Sequence, residues 1–210
     1  MFLDELPEFS RNALESLRVP LEDRKVSISR LNTTITYPCE FMLIASMNPC
    51  PCGYYGNLEK KCCCRPEQIK KYVNRISGPL LDRIDIHIEV NPIKYNKLEK
   101  KEKTLTSKEI RNRVNQARKI QVERYQEYHI FSNSQLTLPL IEKFCKLDMK
   151  SKQVLEIAFD KLGLSARAYN RILKVARTIA DLDGCEKIKE NHLAEAIQYR
   201  SLDRKYWHNR

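Results

Sequence analysis

Apolar positions follow two regimes along this chain. Up to about residue 92 they fall in short strand-like runs, and from about residue 106 they recur at helical spacing. Phe2-Leu3 close a first short apolar strand, and "SRNALESLRVPLED" follows. There Ser10 is placed to cap a helix carrying Ala13, Leu14 and Leu17 on one face, with Pro20 expected to end it. "KVSISRLNTTITYP" predicts a hairpin. Val26 and Ile28 alternate with polar residues on one arm, Thr33, Ile35 and Tyr37 on the other, and Asn32 lies near the turn. "FMLIASMN" is a continuous apolar run, the pattern of a strand buried on both faces of a parallel sheet. "RIDIHIEV" alternates Ile84, Ile86, Ile88 and Val90 against Asp85, His87 and Glu89, and predicts a half-buried strand.

The second regime opens with Thr106 and Glu109, a capping-box pair, before a helix with Ile110, Val114, Ala117 and Ile120 or Gln121 on one side. Shorter helices are expected near Leu138–Phe144 and Ser151–Leu162. "LSARAYNRILKVARTIADLDG" is the strongest helix: Ser165 caps it, Tyr169, Ile172, Leu173, Ala176 and Ala180 form its apolar stripe, and Gly184 ends it. Arg167, Arg171 and Lys174 lie on its other face, and Asn191 is expected to cap a last helix through Leu193, Ala194 and Ile197. The polar, basic stretch 93–105 reads as a linker between the two parts.

Composition narrows the class. The chain has 210 residues, 42% of them hydrophobic, enough for one ordinary domain or two small ones. Lys and Arg number 38 against 27 Asp and Glu, a net charge of +11 spread along the chain. That balance suits a polyanion, most simply DNA, although Lys-rich composition alone produces it too. No apolar run reaches the length of a membrane span and no signal peptide is visible, so a cytoplasmic protein with no membrane partner is expected. In a reducing compartment, eight cysteines point to metal before disulfides.

Five groups of residues can carry chemistry. Asp4 and Glu5 end the first strand; such a pair can hold Mg²⁺ through water and polarise an attacking water. Asn48, at the end of the buried run, can hold that water or a terminal phosphate, or simply form the turn before Pro49. Arg83 in "SGPLLDRIDI" can stabilise phosphoryl-transfer charge in a neighbouring subunit, or pair locally with Asp82 or Asp85. Cys50, Cys52, Cys62 and Cys64 form two C-x-C pairs nine residues apart, with Gly53 and Gly56 to turn; four thiolates on so small a loop can surround Zn²⁺. Cys63 is a spare, and Cys39, Cys145 and Cys185 read as packing residues. Arg24, Lys25 and Arg30 put cations on the hairpin, expected near its tip, where they suit a nucleic-acid backbone or a solvated surface.

Their order resembles that of the AAA+ ATPases, more narrowly the magnesium-chelatase-like group, and most closely the ComM (YifB-type) family. "FLDELPEF", "MNPCPCGYYG", "RISGPLLDRIDIHIEV", "LSARAYNRILKVARTIADLDG" and "HLAEAIQYR" carry the resemblance, which covers about residues 1–200. It implies an α/β fold: a partial AAA+ P-loop NTPase core over 1–92, with a parallel sheet, an inserted hairpin at 25–37 and a cysteine loop at 50–64, then an all-α lid domain over 106–210. It implies ATP and Mg²⁺ as cofactors, with Asp4 and Glu5 as the Walker B pair and Asp4 reaching Mg²⁺ through water. Asn48 matches sensor 1, Arg83 the arginine finger, and Arg167 sensor 2. The hairpin matches one that related helicases push into a central pore, making Arg30 the foremost DNA contact. The family implies a hexameric ring and ATP-driven branch migration of recombining DNA in natural transformation.

One departure stands out. None of the five glycines is followed by Lys in a G-x-x-x-x-G-K-[ST] loop. The expectation is a C-terminal portion that alone binds ATP poorly and does not hydrolyse it, and that can work with a separately encoded N-terminal half. The alternatives are a zinc-stabilised DNA-binding module without enzyme activity, or a magnesium-chelatase-type ATPase subunit.

Overall fold

The computed structural model describes residues 1–31, 33–57, 59–90 and 104–200. The chain divides after Ile84 into two compact units. The predicted turn residue Asn32 and positions 93–103 of the predicted linker lie outside the described residues.

In the first unit β1 (Phe2–Leu3) pairs in parallel with β4 (Ile44–Ala45), Phe2 opposite Ile44 and Leu3 opposite Ala45. Backbone hydrogen bonds extend the ladder: Ile44 N to Met1 O at 2.9 Å, Ser46 N to Leu3 O at 3.0 Å and Leu6 N to Ser46 O at 2.9 Å. Parallel pairing agrees with the expectation from the apolar run, but burial does not. Phe2 is 63% exposed and Ile44 54%, because no helix layer covers this two-stranded ribbon among the described residues.

Ser10 caps α1 (Arg11–Ser16), its hydroxyl accepting from Ala13 N at 3.3 Å. The helix then breaks at Leu17 and resumes as α2 (Arg18–Asp23). Pro20 therefore does not end the helix: it sits in the first turn of α2, where a missing N–H costs nothing. The end comes at Arg24, in the left-handed region at φ 54°. β2 (Lys25–Arg30) and β3 (Thr33–Pro38) form the expected antiparallel hairpin, with Val26 opposite Tyr37 and Ile28 opposite Ile35. Its other face pairs hydroxyls, Ser27 with Thr36 at 2.8 Å and Ser29 with Thr34 at 3.0 Å. Two helices follow, α3 (Pro66–Val73) and α4 (Gly78–Leu81), and Leu14, Ile76 and Leu80 are fully buried in this unit.

"RIDIHIEV" is not the strand its alternation predicts. Ile86, Ile88 and Val90 are 46%, 67% and 85% exposed, and no described strand lies beside them. Alternation makes a strand only where a neighbour supplies the ladder.

The second unit is helical. The predicted capping box opens α5 (Ser107–Arg124): Glu109 N donates to Thr106 Oγ1 at 3.3 Å, and Thr106 N to Glu109 Oε2 at 2.7 Å. Then come α6 (Leu138–Phe144), α7 (Met149–Leu162), α8 (Ala166–Leu182) and α9 (Glu190–Gln198). α8 runs through the core with Ile172, Leu173, Ala176 and Ala180 buried, as its stripe predicts, while Tyr169 stays 39% exposed. Gly184 follows in the left-handed region at φ 65°. Lys189, not Asn191, is the N-cap of α9, because the His192 ring accepts the Lys189 backbone N–H at 3.1 Å. Ala196 takes the buried place expected of Ala194.

A buried polar brace ties this unit together. Asp181 accepts from Arg124 at 2.6 and 3.0 Å, Arg177 Nε at 3.1 Å and Asn133 Nδ2 at 2.9 Å. Asn133 in turn accepts from Tyr125 OH at 2.6 Å. Two guanidinium groups share the carboxylate, so the buried charge is compensated and its lone pairs are filled.

Candidate functional site

Parallel strands bring their C-terminal ends to one edge, and ligands of open α/β sheets meet the protein there. β1 ends in Asp4-Glu5; β4 runs on through Ser46 to Asn48. With Leu3 opposite Ala45, Asp4 and Ser46 come side by side, and the Ser46 hydroxyl donates to Asp4 Oδ1. Glu5 N also donates to that oxygen, at 3.1 Å. Glu5 itself adopts a left-handed conformation (φ 50°, ψ 51°), an uncommon one for a residue with a side chain. It turns the chain sharply into the 3-10 turn Leu6–Glu8. Asp4, Glu5 and Asn48 are all exposed at this edge.

Nothing in the sequence marks Tyr72 as a neighbour of Asn48, and it marks Gly53 only as a turn residue of the cysteine loop. Tyr72 is buried on α3, and its hydroxyl takes a hydrogen bond from the Asn48 backbone; burial pushes its phenol above the usual tyrosine range. Gly53 holds φ 81°, and a Cβ there would stand 3.9 Å from Asn48 Oδ1. Asn48 is thus framed by the helix on one side and the cysteine loop on the other.

The four predicted cysteines converge. Cys50 Sγ lies 3.4 Å from Cys52 and 3.7 Å from Cys62, with Cys52 to Cys62 at 3.5 Å; Cys64 joins them, all within 4.8 Å of one another. A tetrahedral zinc with Zn–S of about 2.3 Å sets its sulfurs about 3.8 Å apart, so the spacing fits such an ion. Backbone N–H groups of Tyr54 and Cys63 hold the Cys52 thiol down at about 5, while desolvation pushes Cys64 up to about 12. One thiolate is ready for a cation, and a bound metal would displace the protons of the others. Cys63 is exposed and outside the cluster.

Arg83 is held within its own unit. Its Nε donates to Arg18 O at 3.1 Å and its Nη1 to Pro79 O at 2.6 Å, while Nη2 pairs with Glu22. The side chain is only 8% exposed. Glu22 is thus a local partner of Arg83, and Asp85 pairs with Arg171 of α8.

The hairpin cations separate. Arg30 stands opposite Thr33 at the tip, with Leu31 beyond it fully exposed. Lys25 stands opposite Pro38 at the base, about 17 Å from the tip on a strand of this length. Arg24 precedes the strand and pairs with Glu40 at 3.2 Å. Only Arg30 thus meets the expectation of cations near the tip. Arg167 lies exposed in the first turn of α8 in the second unit. No helix among the described residues is long and apolar enough to cross a membrane.

Two family models divide the chain between them. Residues 1–98 match the model described as magnesium chelatase, subunit ChlI, and residues 104–200 the one described as magnesium chelatase, subunit ChlI C-terminal. Competence protein ComM of Haemophilus influenzae is 47% identical over 205 residues, covering 97% of this chain and 39% of the relative. A protein named YifB from Escherichia coli is 44% identical over 207 residues, with the same coverage. An uncharacterized protein of Mycobacterium tuberculosis is 32% identical over 200 residues, covering 95% of this chain and 39% of the relative. The chain therefore spans about two fifths of the length of these relatives, and over that span it belongs to the magnesium-chelatase family, in its ComM and YifB branch.

Proposed function

We propose that this chain supplies the water-activating half of a ComM-like AAA+ ATPase that moves on DNA. The observation that carries the reading is the parallel register of β1 and β4, which brings Asp4, Glu5 and Asn48 to one sheet edge. In this reading Asp4 holds Mg²⁺ through water, Glu5 takes the proton of the attacking water, and Asn48 orients that water against the terminal phosphate. The bound ion and nucleotide supply charge compensation and the leaving group. Tyr72 keeps the Asn48 backbone in place. In a hexameric ring Arg83 leaves Glu22 to reach a neighbouring subunit's phosphates, and Arg167 acts from the helical lid.

The phosphate cradle comes from an N-terminal portion outside this sequence, and the relatives are longer than the span matched here. Additional strands and helices of that portion cover the exposed faces of Phe2 and Ile44. Cys50, Cys52, Cys62 and Cys64 hold a structural Zn²⁺ that closes the loop beside Asn48. Arg30 meets the DNA backbone from the hairpin tip, with Lys25 and Arg24 behind it.

Reconstitution tests this. The chain alone should turn over no ATP, and mixing it with the N-terminal remainder of a ComM relative should restore turnover stimulated by DNA. Equal turnover with and without the added portion, or none in the mixture, counts against the proposal.

The basic charge and the cysteine cluster favour a second reading, a zinc-stabilised DNA-binding module with no ATP chemistry. DNA affinity that weakens with salt, with no turnover after reconstitution, selects it.

A further inference from the structure

α5 has a charged face that neither the nucleotide site nor the hairpin uses. A helix advances about 100° per residue. On that spacing Lys108, Arg111, Asn112, Asn115, Arg118 and Lys119 fall within an arc of about 120°, along about 16 Å of axis. All six are exposed. Neither acid of the helix lies in this arc. Glu109 is engaged in the cap with Thr106, and Glu123 sits at the edge, 4.0 Å from Lys119. The buried residues Ala117 and Gln121 lie on the opposite side, where Gln121 accepts from Asn133 N. The stripe is therefore free to face a partner without disturbing the core.

The chemistry of the stripe selects the partner. Four cations on one line, interleaved with two carboxamides, offer charge to phosphate oxygens and hydrogen bonds to phosphate or sugar. One strand of a B-form duplex presents a phosphate about every 3.4 Å of axis, so a stripe of this length faces about four or five. No aromatic residue interrupts it to stack on bases, which favours backbone contact without sequence preference. We infer that the Lys108–Lys119 face of α5 is a nucleic-acid backbone contact, separate from the hairpin in the first unit. It does not depend on the proposed role of the hairpin or of the nucleotide site.

Four purified proteins test it: the chain as it stands, a helix variant (K108Q, R111Q, R118Q, K119Q), a hairpin variant (K25Q, R30Q) and a charge control. The control removes four exposed lysines elsewhere, Lys61, Lys70, Lys71 and Lys152, as Gln. Circular dichroism checks that each retains its helix content. Binding to a labelled duplex and to a labelled single strand is then followed against salt. The helix variant should bind the duplex at least about tenfold more weakly at low salt, and its slope of log K against log salt should fall by about 3.6, because each of four phosphate contacts contributes about 0.9. The charge control should lose much less. Equal losses in helix variant and control overturn the inference, since net charge alone then accounts for binding. So does unchanged affinity in a folded helix variant, or the absence of any nucleic-acid binding by the parent chain. Binding to phosphatidylserine vesicles that depends on the stripe, with no dependence for nucleic acid, also overturns it. A loss confined to the hairpin variant overturns it while supporting the hairpin reading; a loss confined to the helix variant does the reverse.

Discussion

At the residue scale, two side chains combine a structural part with a proposed catalytic one, and substitution can separate them. Glu5 occupies a left-handed backbone conformation that glycine adopts without steric cost. Glu5→Gly should therefore leave the first unit as stable as before, or stabilise it by up to about 1 kcal/mol, while removing the group proposed to take the proton from water. Thermal unfolding beside turnover in the reconstituted mixture checks both; a clear loss of stability would show that the Glu5 side chain holds the turn. Arg83 is the converse case. Its guanidinium bridges Arg18 O, Pro79 O and Glu22, so Arg83→Ala should cost about 2 kcal/mol of stability in the first unit. If it is also the trans-acting finger, turnover falls by far more than the unfolded fraction explains, with nucleotide affinity retained. Turnover that follows only the folded fraction leaves Arg83 a local brace.

The cysteines give a third prediction at this scale. With Zn²⁺ bound, an alkylating reagent should modify exposed Cys63 first and spare Cys50, Cys52, Cys62 and Cys64. Cys145 should stay unmodified, because burial pushes its thiol up to about 11. Metal analysis of the purified chain should find one zinc per chain, and Cys50→Ser should abolish it. No zinc, with the four cluster thiols as reactive as Cys63, removes the metal from the account.

At the scale of elements, caps govern the helical unit. Thr106, Asp148 and Ser165 each accept a backbone N–H at a helix start. Ser165→Ala should cost about 1 kcal/mol. The Asp148 carboxyl is held below the usual range by the Ser151 backbone N–H, and that of Glu109 by the Thr106 backbone and hydroxyl. Both folded-state values are depressed, so their contribution is fully present above the ordinary carboxylate range and is lost as pH falls through the folded values. Acid titration of unfolding should show the helical unit weakening there, and D148N with E109Q should flatten that dependence. An unchanged slope in the double variant would place the acid sensitivity elsewhere.

Elements also show what could be read from sequence and what could not. Ser10, Ser165 and the Thr106–Glu109 pair were legible because capping is local chemistry. The α8 stripe was legible because five apolar positions repeat on one face. The Pro20 helix end was wrong because a break at Leu17 put the proline in a new first turn. "RIDIHIEV" was wrong because a strand needs a neighbour, which local alternation does not supply. The convergence of Cys50, Cys52, Cys62 and Cys64 was legible from spacing. Tyr72 beside Asn48 and Glu22 beside Arg83 were not, since each contact joins elements far apart in the chain.

At the scale of the molecule, the two units differ in what stabilises them. The helical unit has a continuous apolar core and the Asp181 brace. Asp181→Ala leaves two partly or fully buried guanidinium groups without their shared carboxylate, and should cost about 3–5 kcal/mol. A loss under about 1 kcal/mol, by denaturant unfolding, would show that water or rearrangement replaces the brace. The first unit instead exposes Phe2, Met42 and Ile44 around its short parallel ribbon. In the family setting those surfaces are where further strands and the phosphate cradle are proposed to join. A net charge of +11, with cations on both the hairpin and α5, suits the DNA on which such a motor would act.

Asp4 and Glu5 are proposed as the metal and water pair of an ATPase completed by another segment. Glu5→Gln, assayed in the reconstituted mixture, tests this most directly. The change keeps the size and shape of the side chain while removing its capacity to take a proton. ATP binding should stay within about twofold of the parent mixture and turnover should fall by at least about a hundredfold, the scale of a lost general base. Turnover unchanged by the substitution would contradict that assignment.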